Sequence, residues 1–142
     1  MKRPAKRPRR KTNFYLSDAR LPPRFIAAWF SDKDVDVEIA PETIRDWREA
    51  GYFGPRAQRP GRCRLSWQEL LTACGAWSPT GSFADLQRKP YPSEAVAVRL
   101  GLSHGTTLER FRSRGIPGGF KIGAYWFARP AEFDAALANR CL

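Results

Sequence analysis

The stretch that decides the fold is A-P-E-T-I-R-D-W-R-E-A-G-Y-F, residues 40–53. Proline is favoured in the first turn of a helix because its missing N–H needs no partner there, so Pro41 indicates a helix start. Ile44 and Trp47 follow three residues apart, which places them on one helix face. Gly51 indicates the end of the helix, since glycine readily adopts the left-handed backbone of a helix stop. The stretch therefore predicts a helix from Pro41 to just before Gly51.

The flanking sequence predicts three more elements. On the N-terminal side, apolar residues recur at helical spacing within residues 24–30. On the C-terminal side, residues 52–60 and 61–65 are typical of a two-stranded hairpin with Pro and Gly at its turn. Ser66 then has the position of a helix N-cap ahead of another apolar stripe. The predicted order is helix, helix, hairpin, helix.

The same order returns near the C-terminal end of the sequence. Ser93 is expected to cap a helix, Gly101–Ser103 to form a turn, and a second helix to run to Gly115. Alternating apolar residues over 120–126 predict a hairpin, and Pro130 begins a last helix. The sequence thus predicts two copies of one structural plan, mainly α with small β-hairpin wings.

Composition divides the chain into four predicted segments. Residues 78–91 are rich in Pro, Gly, Ser and basic side chains with little periodicity, which is typical of a connection. We therefore predict a basic disordered tail over 1–20, a first module over 21–77, a linker over 78–91 and a second module over 92–142. A linker that holds two modules close together lets weak contacts from each combine on one duplex.

The first module resembles the DNA-binding domain of the MerR family of winged helix-turn-helix proteins. Residues 40–53 are similar to that family's recognition helix, and G-R-C-R-L-S, residues 61–66, to its wing. The resemblance implies that three side chains of the helix face DNA and three of the wing clamp its backbone: Thr43, Arg45 and Arg48, and Arg59, Arg62 and Arg64.

The second module resembles the small excisionase-type helix-turn-helix, a relative of MerR modules. The similarity lies in P-S-E-A-V-A-V-R-L-G-L-S, residues 92–103, followed by G-I-P-G at 115–118. Residues 103–115 depart from the pattern by one extra residue, which leaves the rotation of the second helix open. Polar residues there fall on a different face from Leu108 and Phe111. The candidate DNA-binding residues are Thr106, Thr107, Arg110 and Arg114, with Lys121 on the hairpin, whereas Tyr125, Trp126 and Phe127 are expected to pack.

Charge favours a polyanionic partner. The chain has 25 Lys and Arg against 14 Asp and Glu, a net charge of +11. Residues 1–11 carry seven of the cations and no acid, whereas residues 21–75 hold eight of each sign. The N-terminal cations are expected to contact phosphates along the DNA backbone or minor groove. They are Lys2, Arg3, Lys6, Arg7, Arg9, Arg10 and Lys11.

Other classes of protein find little support in the sequence. No apolar run approaches the roughly 20 residues that span a membrane, and no apolar signal core follows the basic N-terminus. Cys63, Cys74 and Cys141 are odd in number and widely spaced, and His104 is the sole histidine, which disfavours disulfide frameworks and zinc sites. Phosphate-binding loops and EF-hands are missing as well. We expect no catalytic residues, metal or cofactor, and a cytoplasmic, nucleoid-associated location.

These features predict a sequence-specific double-stranded DNA-binding protein of a bacterium, phage or mobile element, and not an enzyme. It would act as a transcription regulator or as an excisionase, that is, a recombination directionality factor. A recombinase, RNA polymerase and a second copy on DNA are the candidate protein partners. The alternative is a non-enzymatic scaffold or a packaging or RNA-associated protein anchored by its basic tail. Exposure of several of the five tryptophans would favour that alternative.

Overall fold

The computed structural model describes residues 12–58, 61 and 63–139. In this part of the chain, short helices surround a three-stranded antiparallel sheet of order β1-β3-β2, which confirms a mainly α fold with small β structure. None of these helices is long and apolar enough to cross a membrane. Two 3-10 helices, Lys33–Val35 and Pro55–Gln58, accompany the elements α1 (Pro23–Phe30), α2 (Pro41–Glu49), α3 (Trp67–Ala73), α4 (Phe83–Leu86), β1 (Tyr91–Pro92), α5 (Ser93–Leu100), α6 (His104–Arg112), β2 (Gly119–Ile122), β3 (Tyr125–Ala128) and α7 (Pro130–Ala138).

Most helix boundaries follow the local sequence signals. Pro41 and Pro130 begin α2 and α7 as predicted, and Gly51 follows α2 with a φ of +90°. The Ser66 hydroxyl accepts a hydrogen bond from the Glu69 N–H at 3.1 Å, and the Glu69 carboxylate accepts one from the Ser66 N–H at 3.1 Å. This reciprocal capping box satisfies two N–H groups that the first turn of α3 would otherwise leave unpaired.

Ser93 does not have its predicted capping role. The helix α5 begins at Ser93 itself, and Pro92, held extended in β1, takes the N-cap position. The Ser93 hydroxyl forms a hydrogen bond of 2.9 Å with Nε2 of His104. The residue therefore links the starts of α5 and α6 instead of closing a helix end.

The hairpin predicted over 52–65 is wrong for the residues that the structure describes there. Pro55 begins a 3-10 helix, and the Arg48 guanidinium holds the segment by donating to the carbonyls of Ala57 and Gly61. Leu65 pairs instead with Leu21, with N···O distances of 2.7 and 3.0 Å. The extended residue ahead of α3 therefore finds its partner ahead of α1, so no second strand forms within 52–58.

The two halves share one register despite this difference. The bridged pair Leu21 and Leu65 lies two residues before α1 and two residues before α3. The pair Tyr91 and Ala128 lies two residues before α5 and two residues before α7. In each half an extended segment, two helices, a returning segment paired with the first, and a third helix follow in that order. The predicted repetition of the helices is therefore present in the fold.

Segments predicted to lie outside the modules pack against the first half. The Trp67 indole N–H donates to the carbonyl of Phe14 at 2.7 Å, and the Gln87 amide donates to that of Tyr15 at 2.7 Å. The Trp29 indole N–H in turn donates to the carbonyl of Gln87 at 3.0 Å. Residues 12–20 of the predicted tail and much of the predicted linker 78–91 are thus part of the folded body, because buried indoles take their hydrogen-bond acceptors from them.

One hydrophobic core joins the two halves. Ile122 and Phe127 of the hairpin are buried in the same cluster as the apolar faces of α1 and α2, and the rings of Phe127 and Phe30 lie 5.1 Å apart. A smaller cluster lies between α5, α6 and α7 and includes Phe111 and Phe133. The hairpin of the second half therefore completes the core of the first.

Candidate nucleic-acid interface

The helices α5 and α6 meet at the short turn Gly101–Ser103. Gly101 adopts a φ of +65°, a conformation that glycine takes at little cost. The Ser103 hydroxyl accepts from the Thr106 N–H at 3.2 Å, which caps α6. The two helices are thus joined by three residues, the last of which caps the second helix.

The exposed residues of α6 and of the turn that directly follows it carry a net positive charge. Arg110 and Arg114, both expected from the sequence, are exposed, and so is Arg112, which the sequence reasoning did not single out. None of these three arginines makes an ion pair with another described residue. Glu109 is the one exposed acid on α6, so the exposed residues of α6 and its following turn include three arginines and one glutamate. Thr106 is exposed on the same helix, near its N-terminus.

Thr107 is not on this face. Its side chain is 0 % exposed, and its hydroxyl donates to the carbonyl of Ser103 at 2.9 Å. The extra residue between Ser103 and Gly115 had left the rotation of the helix open, and burial of Thr107 with Phe111 resolves it. The predicted role of Thr107 in DNA contact is therefore wrong for this conformation.

The hairpin places Lys121 beside α6. The Lys121 ammonium lies 5.7 Å from the ring centre of Trp126, and that ring stacks on Phe111 of α6 at 5.6 Å. Phe127 is fully buried, and Tyr125 packs edge-on against Trp47 at 5.8 Å. The prediction that these residues serve packing is confirmed for Trp126 and Phe127, whereas Tyr125 is 37 % exposed. Lys121 is exposed beside the Trp126 ring that packs on α6.

The exposed face of α2 has the opposite charge. Its exposed residues are Glu42, Arg45, Asp46 and Glu49, three acids and one base, and Arg45 lies 3.9 Å from the carboxylate of Glu42. Thr43 is half-buried, and the guanidinium of Arg48 is occupied by backbone carbonyls. The three residues that the resemblance assigned to DNA on α2 therefore do not form a cationic surface.

A groove of about 980 Å³ opens between the end of α2, the segment 51–57 and α3. Four of its lining residues are arginines, and only two of them, Arg48 and Arg64, were predicted site residues. Arg59, Arg62 and the seven N-terminal cations lie outside the described residues. The other two arginines of the groove are Arg56, which lies on the segment 51–57 itself, and Arg20, which precedes α1 and is brought to the groove by tertiary packing.

The closest charge pairs lie on other elements. Arg129 donates to the Glu132 carboxylate at 2.6 and 2.9 Å, which lowers the pKa of Glu132, and it also donates to the carbonyl of Cys74 at 3.1 Å. Burial raises the pKa of the Cys74 thiol well above its usual range, so this thiol stays protonated. The hydrogen bond to the Cys74 carbonyl joins the two halves.

No protein-family model, curated protein or solved structure matches this chain. The geometry and charge of the described residues are therefore the basis for assigning a function.

Proposed function

We propose that the protein binds double-stranded DNA sequence-specifically, and that α6 is the helix that reads the bases. The single observation that carries this proposal is that the exposed side chains Arg110, Arg112 and Arg114, on α6 and the turn after it, make no ion pair with another described residue. The helix α5 braces α6 across a three-residue turn, and the hairpin adds Lys121 beside it. This combination supports a winged helix-turn-helix module in the second half.

The chemistry of base recognition fits these side chains. The major groove of B-DNA is about 12 Å wide and admits an α-helix, and an arginine that donates two hydrogen bonds to guanine contributes about 1–3 kcal/mol of discrimination. Thr106, near the N-terminus of α6, supplies a hydroxyl, and Lys121 supplies a phosphate contact that fixes the register of the helix on the duplex. A transcription regulator and a recombination directionality factor would both use this chemistry.

The first half supports the proposal in a different way from the tandem of reading helices that the sequence favoured. An α2 face with three acids and one arginine would be repelled by the phosphates that line the groove. Base reading is therefore assigned to α6 alone, and the first half repeats the helical plan without repeating the cationic helix.

Selection of bound duplexes from a random DNA library tests the proposal. The selection is made at about 150 mM salt with RNA as competitor, because salt weakens the contacts to phosphates that any duplex offers. Sequence-dependent contacts then decide which duplexes are enriched. We expect one short enriched motif. Recovery of duplexes without any motif would contradict base reading.

Deletion of residues 2–11 provides a contrast in the same assay. The deletion removes seven cations and no residue proposed to read bases. Binding to all duplexes should therefore weaken. The slope of log K against log salt should become shallower by about 0.9 for each phosphate that is no longer neutralised. The enriched motif should be the same as for the intact chain. A changed motif would assign sequence reading to the N-terminal residues.

The scaffold alternative gains no support from the tryptophans. Trp29, Trp47 and Trp67 are buried, and Trp77 and Trp126 are partly buried. Among the described residues, the large exposed apolar side chains are the neighbours Tyr15 and Leu16, and four that come from other segments of the chain: Tyr52, Val98, Tyr125 and Leu137. None of the five tryptophans is thus exposed enough to favour a protein interface.

A further inference from the structure

We infer that the groove between α2, residues 51–57 and α3 is a second, sequence-independent site that binds phosphodiester groups of the nucleic-acid backbone. This inference rests on the proposed function, because it names what the first half contributes to the same complex. The site is distinct from the face of α6 in its residues and in its chemistry. It is built around Arg20, Arg56 and Arg64.

Two of these arginines have no partner in the described part of the chain. Arg56 and Arg64 are exposed, line the groove, and make no ion pair or side-chain hydrogen bond with any described residue. Arg20 has only a long contact of 3.9 Å with Glu69, and its side chain is 66 % exposed. A guanidinium left without a carboxylate is available to an external anion, and its planar fork of donors matches two phosphate oxygens.

Arg48 gives the groove its shape. Its guanidinium donates to the carbonyls of Ala57 and Gly61, so it ties the segment that carries Arg56 to the end of α2. Gln58 adds a second tie, since its amide donates to the carbonyl of Glu49 at 3.0 Å. Arg48 is therefore a positioning residue, and the anion-binding charges are those around it.

Charge and shape favour a backbone over a small molecule. The groove is open to solvent, and Glu69, whose carboxylate is engaged by the Ser66 N–H, is the one acid among the described residues that line it. Arg20 and Arg64 also line an adjoining depression near Thr12, Phe14 and Arg24. Cations shared by two adjoining depressions form a track, which suits a chain of phosphates better than a single anion.

The salt dependence of binding to a random-sequence duplex tests this site. In the full chain, we expect Arg56→Ala with Arg64→Ala to weaken binding and to make the slope of log K against log salt shallower by about 1.8, that is, about 0.9 for each of the two phosphates that the variant no longer neutralises. The matched control is Lys33→Ala with Lys89→Ala, which removes two exposed cations that lie outside the groove. The control should change the slope much less.

The outcomes separate this inference from the proposed function. A slope equal in the arginine and lysine double variants would overturn the groove site, whatever motif the chain selects. A shallower slope in the arginine variant, with no motif selected by the intact chain, would support the groove and overturn base reading by α6. Arg56 and Arg64 are exposed, so unchanged thermal unfolding is expected and verifies that each variant is folded.

Discussion

The two halves of the molecule repeat one plan but differ in how it is completed. The second half joins its first two helices by the three residues 101–103 and builds a hairpin, β2 and β3, between its second and third helices. The first half separates α1 from α2 by residues 31–40 and replaces the hairpin by a segment held through Arg48. The described residues between α2 and α3 contain a 3-10 helix and a single bridge to Leu21, whereas the second half has a strand pair at the same place.

The same difference explains how the halves depend on each other. The first half has no strands of its own to cover α1 and α2 among its described residues, and Ile122 and Phe127 of the second half fill that place. The halves also differ in charge, since the exposed face of α6 is basic and that of α2 is acidic. We therefore propose a division of labour, in which α6 reads bases and the first half supports the hairpin and contacts the backbone.

The shared core can be broken at Phe127. We expect Phe127→Ala to lower the free energy of unfolding by about 3–5 kcal/mol, because a fully buried ring is removed and a cavity remains. Amide hydrogen exchange should become faster in α1 and α2 as well as in the hairpin. Phe133→Ala is the matched control, since Phe133 is also fully buried but belongs to the smaller cluster of the second half. Unchanged exchange in α1 and α2 of the Phe127 variant would disprove the shared core.

The contact between the hairpin turn and α2 can be broken at Gly123. This glycine has a φ of +57°, and a Cβ built there would overlap the indole ring of Trp47. Gly123→Ala should therefore cost about 1–2 kcal/mol for the left-handed conformation and about 1–3 kcal/mol more for the overlap. Gly101→Ala has a similar φ of +65° with open space around it, so it should show only the first cost. Thermal unfolding of both variants measures the difference, and equal losses of stability would rule out a close turn contact.

Arg129 provides a smaller, polar link between the halves. Arg129→Ala removes hydrogen bonds to Glu132 and to the carbonyl of Cys74, and should lower the free energy of unfolding by about 1.5–3 kcal/mol. Chemical denaturation at neutral pH measures this decrease. Arg129→Lys keeps the positive charge but lacks the planar guanidinium donors, so it should restore only part of the stability. A full restoration would mean that charge alone matters at this position.

The pH dependence of stability sharpens the same link. The hydrogen bond from Arg129 lowers the pKa of Glu132 in the folded protein, so this pair stabilises the fold above the unfolded pKa of about 4.3 and loses its effect as the pH falls through the folded pKa. The Arg129→Ala variant should therefore lose less stability than the unchanged protein on acidification below about pH 4.3. If the free energies of unfolding of the variant and of the unchanged protein decreased in parallel as the pH fell, the Arg129–Glu132 pair would not couple to folding.

Local signals in the sequence were sufficient for most helices. Pro41, Ser66, Gly101 and Pro130 each act through backbone geometry or hydrogen bonds within a few residues, so their effects could be predicted without tertiary structure. The hairpin formed by β2 and β3 was also predicted from a local signal, the alternation of apolar residues over 120–126. Ser93 was misassigned because Pro92 is held in the sheet by β3, a partner distant in sequence.

The features that failed depend on contacts distant in sequence. The pairing of Leu21 with Leu65 and the hydrogen bonds of Arg48 leave residues 52–65 without a hairpin in their described part. Burial of Thr107 depends on how α6 rotates against α5, and one added residue changes that rotation. Within the candidate site, periodicity predicted Arg110 correctly as exposed, whereas Arg20 reaches its groove only through tertiary packing.

The division of labour between α6 and α2 is tested most directly by library selection with two matched variants, Arg110→Ala and Arg45→Ala. Both remove one exposed arginine from an exposed helix face, one on α6 and one on α2. We expect Arg110→Ala to lower discrimination between the selected motif and random duplex by about 1–3 kcal/mol, that is, by about 5-fold or more, whereas Arg45→Ala should leave discrimination unchanged. Loss of discrimination in the Arg45 variant, with none in the Arg110 variant, would contradict this division of labour.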